Sequence, residues 1–553
     1  MKQHFIIFIL IIQSLIFYVN SHRNDDTEDA LVKIDNGLLR GEHRDYYYAF
    51  EGVPYAEPPI GKLRYQPPVS LAKKWKGEKL VTKATSICIQ WDHFIEGDDK
   101  LRGEEDCLYL NIYTPTLDAK KKLPVVFNIH GGAFMFGYGH FYGPEMLLQK
   151  QKLVYVTINY RLGPMGFLSS EDDIIPGNFG LKDQTFALKW VKENIGKFGG
   201  DPNAITVTGF SAGGASTHLQ FLTPLSKGLF QRGIAHSGSA LCPWVFQENA
   251  QGKTRQIAEN LGCKMDKNLL KCLQEKPAAD IVRQTKHFQP FLYNPFSPFG
   301  VVVEKKTKNN PHPFITDSPA KLMERGEYNK YPILFSAAEA EGLYPSAEFM
   351  SDEKYLKDLD ERWNELMPNV LDFVHSVDEK HRIEIAQLIR EHYLQDKKVT
   401  PETFGEFTQI ISDRLYNYGI GRSAKLMQPH SKVFVYFFRY KAKYGVGEAM
   451  SNGVEDLGVA HGDDIFLIFN NPIRDVVGLT RDEINMARKL TQLYLDFARN
   501  GEVKFGDVDA LPMDCNTHVK YLEIVDTNTA FVKVGNDFGN SKFWESIDKI
   551  NEH

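Results

Sequence analysis

A serine, a histidine and a carboxylate far apart in a chain form one hydrolytic site when turns bring them together. In this sequence of 553 residues the serine stands in TVTGFSAGGAST, Thr206 to Thr217, where Ser211 is the centre of Gly209-Phe210-Ser211-Ala212-Gly213. A bare Gly-x-Ser-x-Gly is weak, since it arises by chance in roughly one chain in five of this length. Its flanks carry the argument. The β-rich AITVT, Ala204 to Thr208, leads into it, and helix-tolerant residues run from Ala212 through about Leu222. The glycines permit a sharp strand-to-helix turn that exposes the serine Oγ. The helix start supplies free N–H groups and a positive dipole end where an oxyanion would develop.

Such a turn needs an acid and a base, in chain order serine, carboxylate, histidine. GVAHGDDIFLIF places His461 between Gly458 and Gly462, on a loop C-terminal to every plausible acid loop. ILFSAAEAEGL ends a strand and offers Glu339 and Glu341, of which Glu341, directly before a glycine, is preferred. FNIHGGAFMFG, Phe127 to Gly137, follows another strand, and its Gly131-Gly132-Ala133 run has small residues whose N–H groups can face a substrate together with that of Ala212.

These loops need a frame. Short β-branched or aromatic runs at PVVFNI (Pro124 to Ile129), LVYVTIN (Leu153 to Asn159), AITVT, PILF (Pro332 to Phe335) and VFVYFF (Val433 to Phe438) read as strands covered on both faces. Helical patterns alternate with them, including Asp183 to Ile195 and a final helix that begins at Thr480, with Glu483 as a capping box, and stops near Gly501. The fold class is therefore α/β, with a mostly parallel sheet and helices on both faces, and the site belongs at the carboxyl ends of its strands. The aromatic-rich His287 to Phe314 and the charged helical stretch from about Asp352 to Gln409 read as parts of a long insertion over the sheet's top.

Composition narrows the partners. The formal charge of -6 and the absence of a basic excess argue against nucleic acid. MKQHFIIFILIIQSLIFYVNS, residues 1–21, reads as a cleaved signal peptide, its apolar run shorter than the roughly 20 residues of a spanning helix. Residues 22–553 then form a single domain, exported and without a stable membrane anchor. No Asn-x-Ser/Thr sequon occurs. In an oxidising compartment Cys88 with Cys107, and Cys263 with Cys272, are the short-loop disulfide candidates, and Cys242 in SALCPW reads as a buried free thiol. No clustered His/Cys ligand set calls for a metal, and no cofactor is needed.

Beyond these separate readings, FGGDPNAITVTGFSAG and EDCLYLNIYTP resemble the signatures of the type-B carboxylesterases, the cholinesterase-like branch of the α/β-hydrolases, and most of all the secreted insect enzymes. FEGVPYAEPPIGKLRYQPP, NYRLGPMGFLS, GNFGLKDQTFALKWV, AHSGSALCPW and GVAHGDDIF extend the likeness over nearly the whole chain. The resemblance implies Ser211 as nucleophile, Glu341 as the acid that orients the imidazole and His461 as general base and then acid. It also implies Gly132, Ala133 and Ala212 as oxyanion donors, Ser237 as a hydroxyl near the triad, Trp244 as a wall of the acyl pocket, and disulfides Cys88–Cys107 and Cys263–Cys272, the first closing a surface loop.

Departures from the family shape the substrate reading. Ala133 replaces the third glycine of the common His-Gly-Gly-Gly run, and Phe210 replaces the glutamate that many relatives carry before the nucleophile. The Cys88 to Cys107 loop is shorter than in cholinesterases and has no tryptophan near its acidic end. Choline esters are therefore not expected, and an uncharged small-molecule carboxylic ester is. Juvenile hormone esterases typically carry glutamine at the Phe210 position. A juvenile-hormone or pheromone esterase, a lipase and a non-catalytic cholinesterase-like binding homologue remain as alternatives; the filled triad positions weigh against the last. The natural ester and the oligomeric state stay open.

Overall fold

The computed structural model describes residues 30–150, 152–395, 397–472, 477–514 and 518–550. The signal-peptide reading and Cys515 fall outside the described residues. The main sheet has 11 strands. In chain order they are β1 (Glu42–Arg44), β2 (Tyr47–Pro54), β3 (Tyr109–Thr114), β4 (Leu123–Ile129), β5 (Val154–Ile158), β6 (Gly200–Phe210), β7 (Arg232–His236), β8 (Ile333–Ala338), β9 (Val433–Phe438), β10 (Val519–Ile524) and β11 (Ala530–Gly535). Across the sheet they run β11-β10-β9-β8-β7-β6-β4-β5-β3-β2-β1. From β10 to β5 every neighbouring pair is parallel. β11 closes one edge antiparallel, and β3, β2 and β1 close the other.

Each strand expected from its apolar run is present within a few residues of its expected ends. Alternate side chains of one strand feed opposite layers, as a period of two requires. Val125, Phe127 and Ile129 join one apolar cluster, while Val126 joins a second on the other face. Helices cover both. α1 (Phe179–Asn194) and α2 (Ala212–Leu222) bury Leu188, Ala215 and Leu219 in the first cluster. α7 (Arg481–Asn500) buries Met486, Leu490 and Leu493 in the second. α7 also has the ends read from sequence: Thr480 and Glu483 exchange bonds of 2.7 and 3.2 Å, and Gly501 ends the helix at φ 74°.

The aromatic loop and the charged helices leave the sheet at two successive crossovers rather than in one insertion. His287 to Phe314 lies between β7 and β8, whereas α3 (Glu353–Glu361), α4 (Trp363–Val370), α5 (Glu379–Leu394) and α6 (Phe404–Ser412) lie between β8 and β9. Strand order reverses around β4, which pairs with β5 on one side and β6 on the other. The carboxyl ends of β4 and β6 are therefore the place where an open α/β sheet takes its ligand.

Candidate active site

Ser211 is the single residue between the end of β6 and the start of α2. It holds φ 59° and ψ -122°, so the serine itself rather than a flanking glycine carries the left-handed turn. A non-glycine residue in such a conformation costs about 1–3 kcal/mol. Two bonds hold it: the Ser211 N–H donates to the His236 carbonyl at 2.8 Å, and the Ser211 carbonyl accepts from Ala215 N at 2.9 Å. The glycines make room. A Cβ on Gly213 would stand 2.0 Å from the Ile129 carbonyl oxygen, and one on Gly131 would stand 2.6 Å from that of Phe210.

The loop after β4 brings Gly132 and Ala133 to this turn. Gly132 has φ 104° and Ala133 φ 55°, so the methyl group that departs from the family's glycine occupies a left-handed position. Neither amide donates to an acceptor among the described residues. The Ala133 carbonyl is fixed from outside by the Ser297 hydroxyl, which donates to it at 2.9 Å from the aromatic loop.

β8 delivers the carboxylate. Glu341 is fully buried; its Oε1 accepts the Ala338 N–H at 2.7 Å and its Oε2 meets His461 Nδ1 at 2.5 Å. Glu339, the other sequence candidate, turns outward and pairs with Arg439 at 2.7 Å. Because the carboxylate holds Nδ1 as an N–H donor, the lone pair of the neutral imidazole lies on Nε2. That atom is buried and has no protein partner among the described residues. Asp463 fixes the base loop from within by accepting the Ala460 N–H at 2.8 Å.

Rings hold the imidazole plane. Phe210, directly before the serine, lies 4.4 Å from His461, Tyr416 lies 4.6 Å away, and Tyr344 stacks at 5.5 Å. Gly462, at φ 94°, is what allows this approach: a Cβ there would stand 2.7 Å from Phe210 Cζ. A second column continues outward, with Tyr293 stacked 6.2 Å from Tyr344 and His93 stacked 3.9 Å from Tyr293. His93 comes from the loop closed by the Cys88–Cys107 disulfide, which thus does more than close a surface loop. Burial, helped by Lys100, pushes the His93 imidazole down to about 3, so it is neutral at ordinary pH.

Other sequence-derived positions fall around this centre. Ser237 is buried at φ 48°, its hydroxyl without a protein partner among the described residues. Trp244 is buried, donates from Nε1 to the Leu415 carbonyl at 2.7 Å and lies near Phe134 and Phe296. The second disulfide, Cys263–Cys272, is present, and Cys242 is a buried free thiol whose pKa burial raises to about 12.

Sequence reading missed the polar group behind Ser211. The His236 Nδ1 lies 2.9 Å from Ser336 Oγ and 3.0 Å from the Tyr436 hydroxyl, which donates to Asp464 at 2.5 Å; Tyr494 meets the other ring nitrogen. The charge and hydrogen bonds around Asp464 hold its carboxyl below the usual range despite complete burial. The available signal was positional: His236 precedes Ser237, and Asp464 follows His461 by three residues.

Residues 28–544 match the Carboxylesterase family. Venom carboxylesterase-6 of Apis mellifera is 39% identical, with 94% of this chain and 95% of that protein covered. Esterase-5B of Drosophila persimilis is 37% identical over 89% and 92%. The structure of juvenile hormone esterase from Manduca sexta, with OTFP covalently attached, superposes with a TM-score of 0.81 at 26% identity, covering 94% of this chain and 100% of that one. The chain belongs to the carboxylesterase family and is a carboxylic-ester hydrolase.

Proposed function

We propose that the protein is an exported serine carboxylesterase that cleaves uncharged small-molecule esters through an acyl-enzyme on Ser211. The observation that carries this reading is the Glu341–His461 bond at 2.5 Å with Nε2 left bare beside the serine turn. His461 Nε2 takes the Ser211 proton as Oγ attacks the ester carbonyl. The Gly132, Ala133 and Ala212 N–H groups hold the tetrahedral oxyanion. Collapse expels the alcohol, which takes the proton back from His461. Water, deprotonated by the same nitrogen, then attacks the acyl-enzyme and releases the acid and free Ser211.

Glu341 stays ionised throughout, fixing the ring and stabilising the imidazolium. An uncharged substrate follows from the lining: Phe210 and the aromatic column surround the base, and His93 is neutral. Trp244, near Phe134 of the oxyanion loop, is assigned to the wall of the acyl pocket. Export follows from residues 1–21, and the name of the honeybee relative, a venom carboxylesterase, supports it.

Hydrolysis of 4-nitrophenyl acetate and butyrate by the mature protein tests the reading. The rate of Ser211→Ala should fall by at least about 10³-fold with the fold intact. Retention of the wild-type rate would refute the assignment.

A further inference from the structure

A second concave site lies outside the catalytic loops. It is a surface cavity of about 260 Å³ lined by Lys150, Arg488, Lys489, Gln492, Asp496 and Lys504, with Gly506 at its rim. The cations arrive from three separate places: Lys150 after the turn 145–148, Arg488 and Lys489 on α7, and Lys504 on the short hairpin that follows α7. None belongs to the loops carrying Ser211, Glu341 or His461.

Local partners leave much of this charge available. Arg488 is exposed and forms no hydrogen bond or ion pair among the described residues. Among the described residues Lys150 reaches only the neutral Gln492 amide oxygen, and Lys489 reaches the Thr527 carbonyl. Lys504 stands 3.8 Å from Asp509, an exposed residue of its own hairpin. The one carboxylate in the lining, Asp496, accepts from the Gln492 amide at 2.8 Å. Asp526 lies close enough to Lys489 to interact with it, though outside the lining. Four cations thus share one cavity with one acid, in a chain whose formal charge is -6. This local reversal of sign is what a site for a multiply charged anion requires.

We propose that this cavity binds a phosphate or sulfate group carried on a small molecule. The unpaired Arg488 guanidinium offers the planar fork that suits a tetrahedral oxyanion, and the lysines supply point charges around it. The volume bounds the ligand. It is several times the roughly 30 Å³ share of one water, which leaves room for the oxyanion and a sugar ring bearing it.

Two probes separate the sources of this chemistry: inorganic pyrophosphate, and a sulfated disaccharide prepared from heparin. Each is titrated calorimetrically into the mature protein at constant ionic strength, alongside an Arg488→Ala/Lys504→Ala variant and a Lys357→Ala control. Lys357 is an exposed lysine of α3, outside the cavity. At least one probe should bind saturably at one site. The double variant should weaken it by about tenfold, the control should leave it unchanged, and all three proteins should hydrolyse ester at the same rate. Tighter binding of the disaccharide assigns the site to sulfated carbohydrate; equal or tighter binding of pyrophosphate assigns it to phosphate. No saturation with either probe, or equal weakening in the control, would overturn the proposal. Because ester hydrolysis is read separately, failure here leaves the catalytic reading untouched.

Discussion

His461 Nδ1 stands 2.5 Å from Glu341 Oε2, while Glu339, two residues earlier, points the other way to Arg439. The strand ending at Ala338 sends the two carboxylates to different environments, one fully buried and one at the surface. Glu341→Gln should lower kcat by about 10²–10⁴-fold, because an amide neither holds the Nδ1–H tautomer nor stabilises imidazolium. Glu339→Gln removes an exposed ion pair worth about 0–1 kcal/mol, and its kcat should stay within about twofold of wild type. Parallel steady-state kinetics decides. Equal losses in the two variants would mean that the buried contact has no special role.

Phe210 supplies a second relationship, to His461. Its ring lies 4.4 Å from the imidazole, so Phe210→Glu would put an anion where an apolar face now stands. An adjacent anion favours the imidazolium form, which cannot accept the serine proton. The acid limb of the kcat/KM profile should therefore move to higher pH, and a cationic ester should gain relative to a neutral one. Profiles for a choline ester and a matched neutral ester measure both effects. An unmoved limb would show that the side chain at 210 does not act on the base.

Stability has its own pH signature at Asp372. Burial, reinforced by Glu248, raises its carboxyl to about 7, against opposition from Lys253 and Arg414. A carboxyl raised on folding contributes most below its unfolded value, near 3.9, and that contribution is lost as pH rises through 7. Asparagine keeps the shape and tolerates the left-handed φ of 56° found there. Asp372→Asn should therefore gain in Tm over wild type progressively between pH 4 and 7 and hold a gain of about 1–3 °C above it. Thermal unfolding across that range checks the sign; a difference independent of pH would contradict it.

The strands and the serine turn were legible because their signals are local. AITVT, Gly209 to Gly213 and the Thr480–Glu483 box each state their geometry within a few residues. What remained hidden depends on pairing across the chain. Arg232–His236 is a central strand, yet RGIAH is short and polar, and it is a strand because β6 and β8 flank it. From residue spacing alone Glu341 is favoured over Glu339 only by the glycine after it, and the tertiary contact to His461 is what sets them apart. The same holds for Tyr344 and Tyr416, whose rings flank His461, and for His93, which reaches Tyr344 from a third distant segment. The glycines around Ser211 clear space for the turn, as their small size implies, and the positive φ falls on the serine itself, which residue types alone do not reveal.

Covalent capture of the nucleophile tests the central claim most directly. The mature protein is treated with diethyl 4-nitrophenyl phosphate, released 4-nitrophenolate is counted, and the modified peptide is mapped by mass spectrometry. One equivalent should be released per protein molecule, with the diethylphosphoryl group on Ser211 and esterase activity lost in step. Full loss of activity with the label on another residue, or unlabelled Ser211 in an inhibited protein, would contradict the account.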